Sequence, residues 1–155
     1  MPIPEKTSVT SGDIKSETSV LRLIYPQWQG GIIDHWMPDL LPEDASKGYF
    51  LGAQLLKMLA PESTAMTAEV PVSLDIKDRA VEKGISARRI IMKQTGAALD
   101  IVRENAPEKI VTLGGECSVS VVPFTYLAAK YPDDVAIVWL DAHPDVNLPY
   151  DESVS

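Results

Sequence analysis

Lys109-Ile110-Val111-Thr112-Leu113, then Gly114-Gly115-Glu116-Cys117-Ser118, and further on Val135-Ala136-Ile137-Val138-Trp139-Leu140 running into Asp141-Ala142-His143-Pro144-Asp145, decide the reading of this chain. Lys109 to Leu113 is rich in β-formers and predicts a strand. Gly114-Gly115 predicts a tight turn with positive φ. Val119 to Lys130 predicts a helix, with Pro123 tolerable in its first turn. Pro132-Asp133-Asp134 is a turn. Val135 to Leu140 has no polar alternation, the pattern of a strand buried on both faces of a parallel sheet. Residues 109–140 therefore predict a β-α-β unit with a right-handed crossover. Gly114–Ser118 and Asp141–Asp145 would then sit together at the carboxyl ends of two strands, where open α/β sheets bind ligands.

The residues at that edge carry chemistry. In extended backbone, Asp141, His143 and Asp145 share one face. Two carboxylates and an imidazole on one face form an oxygen- and nitrogen-rich site for a hard or borderline divalent ion. The bland alternative is a strand-end turn in which aspartates cap backbone groups and the histidine sits in a satisfied core, and the spacing alone leaves the two level. Cys117 reads equally as a small buried hydrophobe, and Glu116 as an ordinary acidic turn residue. Neither G-x-G-x-x-G nor G-x-x-x-x-G-K-[ST] is present, so a phosphate loop is not expected.

Upstream, residues 1–19 are polar and read as a flexible leader, not a secretory signal, because they lack an apolar core. Val20 to Tyr25 predicts a strand ended by Pro26. Gln27 to Pro42 reads as an ordered loop, with Trp28, His35 and Trp36 packing over the sheet. Pro42-Glu43-Asp44 starts a helix with acids in its first turn. Tyr49, Leu51, Leu55, Leu56 and Leu59 would mark its apolar face, and Pro61 stops it. Ala65 to Leu74 predicts an edge strand, because Pro71 cannot donate to a ladder. Ser86 is the expected N-cap of a long helix from Ala87 to about Asn105. Ile90, Ile91, Gln94, Ala97, Ala98 and Ile101 would lie on or near its buried face.

Bulk properties narrow the class. The chain has 155 residues and a net charge of −8, which gives no support to nucleic-acid binding. One cysteine permits no internal disulfide and fits a reducing, cytoplasmic compartment. No apolar run is long enough for a membrane span.

Gly114-Gly115-Glu116-Cys117-Ser118 followed by Trp139-Leu140-Asp141-Ala142-His143-Pro144-Asp145-Val146-Asn147 resembles the ureohydrolase family of arginases, agmatinases, formiminoglutamases and proclavaminate amidinohydrolases. The resemblance is strong over residues 109–149. It implies an α/β fold, a three-layer α/β/α sandwich with a parallel sheet, over residues 20–155. It also implies a binuclear Mn²⁺ site and hydrolysis of a guanidino substrate, a non-peptide C–N bond. By the same resemblance Asp141 is the carboxylate bridging both metals, His143 a ligand of one and Asp145 of the other. Cys117 stands where the family usually has a metal-binding histidine, and Glu116 where it usually has aspartate. A thiolate suits Zn²⁺ better than Mn²⁺. No catalytic residue is assigned.

The family's later S-x-D-x-D ligand string is not in this sequence. The chain is therefore expected to be the N-terminal portion of the domain, truncated and inactive alone, with at most four of six metal-ligand positions. Two other readings compete: a non-catalytic oligomerising or binding protein that retains the half-fold, and a mononuclear zinc hydrolase using Asp141, His143 and Cys117. Self-association into a homo-oligomer is expected in either setting, because the strand Val135–Leu140 is apolar on both faces.

Overall fold

The computed structural model describes residues 19–31 and 33–142. The expected leader, together with His143 and Asp145, lies outside the described residues, as do the side chains of His35 and Trp36.

A three-stranded parallel sheet carries the chain, in the order β2-β1-β5. β1 (Val20–Tyr25) lies in the centre. Leu21 sits opposite Met66 of β2 (Met66–Glu69) and Ile110 of β5 (Lys109–Gly114), and Tyr25 reaches Gly114 at the end of the β5 ladder. β2 is an edge strand, but it is shorter than the expected Ala65–Leu74: it ends at Glu69, before Pro71. The central strand is buried because helices cover both faces. Leu21, Leu23 and Tyr25 meet Val70, Ala98, Val102, Val119 and Val122 in one core. Alternation turns the buried Ile24 to the opposite face. α2 (Pro42–Leu59) packs against β1 and β5, while α3 (Arg88–Asn105) packs against β1 and against α4 (Val121–Lys130). The arrangement is that of an α/β sandwich.

α2 begins on Pro42 with Glu43 and Asp44 in its first turn, as the sequence requires. Its buried face differs from expectation. Ala45, Ser46 and Ala53 face inward, whereas Leu51, Leu55, Leu56 and Leu59 are exposed, Leu59 by 80%. Small residues allow the helix backbone to approach the sheet closely, and the leucines are left outside. α3 starts one residue later than expected and lacks a side-chain cap. Ser86 does not cap it, because Ser86 belongs to the two-residue strand β4 (Ile85–Ser86), paired with β3 (Val81–Glu82). Lys83 (φ 54) and Gly84 (φ 76) join these strands, the two positive φ values of a type I′ hairpin. Ala87 then enters α3 in the left-handed region, φ 52. Gln94, Ala98 and Val102 form the buried face of α3; Ile90, Ile91, Ala97 and Ile101 are half-buried.

The expected loop Gln27–Pro42 holds a short helix, α1 (Ile33–Trp36). Trp28 packs in as expected, its indole donating to the Ser73 carbonyl at 2.8 Å.

Val135–Leu140 is not a strand. No β-α-β unit closes over 109–140: β5 and the helix after it are present, and the second strand is absent. The segment lies exposed throughout, Val138 by 77% and Leu140 by 92%. Apolar composition states that a segment favours burial. It does not supply the edge of backbone donors and acceptors that a strand needs. Among the described residues no helix is long and apolar enough to cross a membrane.

Candidate functional site

The carboxyl edge of β5 is built by close backbone approach, not by a left-handed turn. Neither Gly114 nor Gly115 has positive φ. The backbone N–H of Gly115 donates to the Tyr25 carbonyl at 3.0 Å, and that of Glu116 to the Gln27 carbonyl at 3.1 Å. This extends the β1–β5 ladder beyond the strand ends. A methyl group on Gly115 would collide with the Gln27 carbonyl, and one on Gly114 with Val119. Glycine is needed here for space.

A 3-10 turn over Cys117–Ser120 follows, leading into α4. Glu116 is its N-cap, accepting from the Ser118 backbone N–H at 2.7 Å and from the Ser118 hydroxyl at 2.6 Å. The neighbouring side chains part here: Glu116 turns inward and is buried, while Cys117 turns outward and is exposed.

Inside lies a continuous polar layer. Gln27 Nε2 donates to Glu116 Oε1 at 2.8 Å and to Ser118 Oγ at 2.6 Å. Gln27 Oε1 accepts from the Tyr25 hydroxyl at 3.1 Å and from Gln94 Nε2 at 2.7 Å. Gln94 Nε2 also donates to Gln29 Oε1 at 3.1 Å, and Gln94 Oε1 accepts from the Ser73 backbone N–H at 2.9 Å. Gln29 Nε2 donates to the Ser73 carbonyl at 2.9 Å. Among the described residues no buried side-chain polar atom lacks a partner. Burial pushes the Tyr25 phenol above its ordinary range, opposed by a hydrogen bond with Thr95 and reinforced by the charge of Glu116. The Tyr49 phenol is raised as well, first by burial and then by the negative charges of Glu116 and Cys117.

Outside, the Cys117 thiol donates to Asp141 Oδ2 at 3.7 Å. The expected closeness of Cys117 and Asp141 is therefore present although the second strand is not. Trp139 stands edge-on to Phe124 of α4, ring centroids 6.2 Å apart, and this contact brings the segment back over the turn. An open cavity of about 340 Å³ lies between the two stretches, lined by Gly114 to Cys117 on one side and Val138 to Asp141 on the other. A second cavity, about 490 Å³ and mostly apolar, shares Gly114 and Gly115 and runs along Tyr49, Ala53, Leu56 and Leu59 of α2.

Thiolate and carboxylate oxygen bound to one tetrahedral zinc lie about 3.5 Å apart, given bonds near 2.3 and 2.0 Å. The 3.7 Å separation of Cys117 and Asp141 fits a shared ion. Glu116 does not fit as a ligand, since its carboxylate already accepts hydrogen bonds in the interior. Among the described residues no three His, Cys, Asp or Glu side chains form a metal-binding group; His143 and Asp145 lie outside those residues.

The sequence profile of the arginase family matches residues 54–155, well over half of the chain and both motifs. The chain belongs to the arginase family. No curated protein matches it significantly. The matched part of this arginase-family chain begins within α2 and takes in β2, α3, β5 and α4.

Gln27, Gln29 and Glu116 form a unit with Gln94 that no linear motif announces. A signal was available: Gln27 and Gln29 alternate directly after a buried strand, and Gln94 interrupts the apolar face of α3. Polar residues at positions that pattern as core need partners, and here they partner one another.

Proposed function

We propose that the chain contributes the metal site of a ureohydrolase-type enzyme, a metal-dependent hydrolase of a non-peptide C–N bond in a guanidino or amidine substrate. Asp141, His143 and Asp145 would hold the ion, with Cys117 joining them. The observation that carries this is the approach of Cys117 Sγ to Asp141 Oδ2 at the carboxyl edge of the sheet. A divalent ion held there would supply Lewis acidity for hydrolysis near neutral pH.

The protein's own groups divide the remaining work. Asp141 provides the negative charge that offsets the cation. Glu116 and Ser118 hold the turn that presents Cys117. The Phe124–Trp139 contact holds Asp141 over that turn. The open cavity beside Cys117 and Asp141 leaves room for a small substrate. The thiol favours Zn²⁺ over the Mn²⁺ usual in the family, which supports a mononuclear zinc variant of the same reading.

The test combines metal content by mass spectrometry with urea release from arginine, agmatine and related guanidino compounds. The expected result is bound Mn²⁺ or Zn²⁺ that is lost in Asp141→Ala. Protein from metal-supplemented cells that holds neither ion would sink the reading, and urea release by the chain alone would overturn the expectation that it is inactive. Association with a second copy rests on the exposure of Val138 and Leu140. Light scattering at micromolar concentration decides it, and a stable monomer at every concentration rules it out.

A further inference from the structure

We infer that Glu116, held by Gln27 and Gln94, is a positioning residue for Cys117, and that the buried amide chain from Ser73 to Glu116 exists to fix the thiol at the mouth of the site. The inference rests on the metal reading above for its purpose, and on hydrogen bonding alone for its geometry.

Three facts converge. First, Glu116 is a buried carboxylate whose neighbours are donors: Ser118 through backbone and hydroxyl, and Gln27 through its amide. A buried charge of this kind is costly unless hydrogen bonds satisfy it. A carboxylate only accepts, so it sets the orientation of every group that donates to it. Secondly, that orientation propagates. With Gln27 Nε2 committed to Glu116 and Ser118, Gln27 Oε1 must accept, and it accepts from Gln94. Gln94 in turn holds the loop after β2 through the Ser73 N–H. The chain ties β1, the β2 loop and α3 to one turn. Thirdly, that turn begins with the exposed Cys117, one residue from the anchored carboxylate. The backbone there has little freedom, because Gly115 lies against the Gln27 carbonyl. Stability alone would be served by an apolar filling; a network with one allowed orientation instead specifies a geometry.

The decisive variant is Glu116→Gln, equal in shape. It sets an amide N–H₂ against a donor that the carboxylate accepted. Glu116→Asp keeps a pure acceptor and is the conservative rescue. Tyr126→Phe, which removes a hydrogen bond to the Pro107 carbonyl before the amino end of β5, is the destabilised control. Two readouts are taken: Co²⁺ affinity followed by the thiolate-to-metal charge-transfer band, and the rate of Cys117 alkylation by iodoacetamide in metal-free protein.

In Glu116→Gln, Co²⁺ affinity falls about tenfold or more, the range typical of lost outer-sphere support. Alkylation rises about threefold as the thiol leaves Asp141. Glu116→Asp restores both toward wild type, and Tyr126→Phe changes neither. Unchanged alkylation in a folded Glu116→Gln overturns the inference whatever the metal does. So does an equal change in the Tyr126→Phe control. Absence of a Co²⁺ band in wild type, with alkylation still raised in Glu116→Gln, overturns the metal reading and upholds the positioning of Cys117. Should Glu116→Gln fail to fold, Gln94→Glu tests the same chain from its far end, and unchanged alkylation there overturns the inference.

Discussion

Two stretches of this chain invert the usual relation between polarity and burial. Gln27-Trp28-Gln29, at the end of the central strand, is buried, with Gln27 at 0% exposure. Val135–Leu140, apolar from end to end, is exposed throughout. The difference lies in partners. Each amide of the first stretch meets a complementary group on β5, α3 or the β2 loop. The second stretch has side chains suited to a core, and a ring contact of Trp139 on Phe124 holds it at the sheet's carboxyl edge. Burial here follows from hydrogen-bond closure as much as from hydropathy.

The sharpest way to break the comparison is Gln27→Leu. The substitution is apolar and of similar size, yet it leaves Glu116, the Tyr25 hydroxyl and Gln94 each short of a partner. A loss of about 3 kcal/mol is expected, since each unsatisfied buried group costs about 1–3 kcal/mol. Urea denaturation measures it, and a neutral result would mean that the polar layer contributes nothing. The exposed ion pair Lys57–Glu69 gives an intermediate case. Hydrogen bonding from Lys57 holds the Glu69 carboxyl below its ordinary range. A depressed folded pKa gives stability that is present above the unfolded value and lost as pH falls through the folded one. Both side chains are well exposed, so solvent screens the pair. Lys57→Ala should therefore cost about 0.5 kcal/mol or less at neutral pH, and the difference should vanish as acid titrates Glu69. Denaturation midpoints at neutral pH and pH 3 check it. The smallest effect belongs to Leu140→Asp. A residue outside the core should shift folding stability by less than about 0.5 kcal/mol, and a large loss by thermal denaturation would show that the segment is core after all.

The sequence disclosed much of the frame because its signals are local. Pro42 with Glu43 and Asp44 places the start of α2 and Pro61 its end, while β2 stops at Glu69, short of Pro71. The closeness of Cys117 and Asp141 was legible as well, from two motifs that both follow apolar runs. The failures have one physical origin. The buried side of α2 depends on which residues let it approach the sheet, so Ala45 and Ala53 won over the leucines. The glycine pair was read as a turn because the approach of Gln27 to Gly115 joins residues far apart in the chain. Val135–Leu140 was read as a strand because its composition does not report whether an edge awaits it.

The central place of β1 bears on how the chain acquires its structure. β1 is made before either neighbour, and both of its ladders are parallel. Gln27 and Glu116 stand 89 residues apart. During synthesis the most apolar strand of the sheet, together with the glutamines that follow it, must wait for β5 to emerge. Parallel pairing at such separation is intrinsically slow. Through that interval Leu21, Leu23 and Ile24 are exposed to whatever else is in solution. A chaperone that shields the nascent N-terminal third would then govern yield more than any contact in the finished molecule.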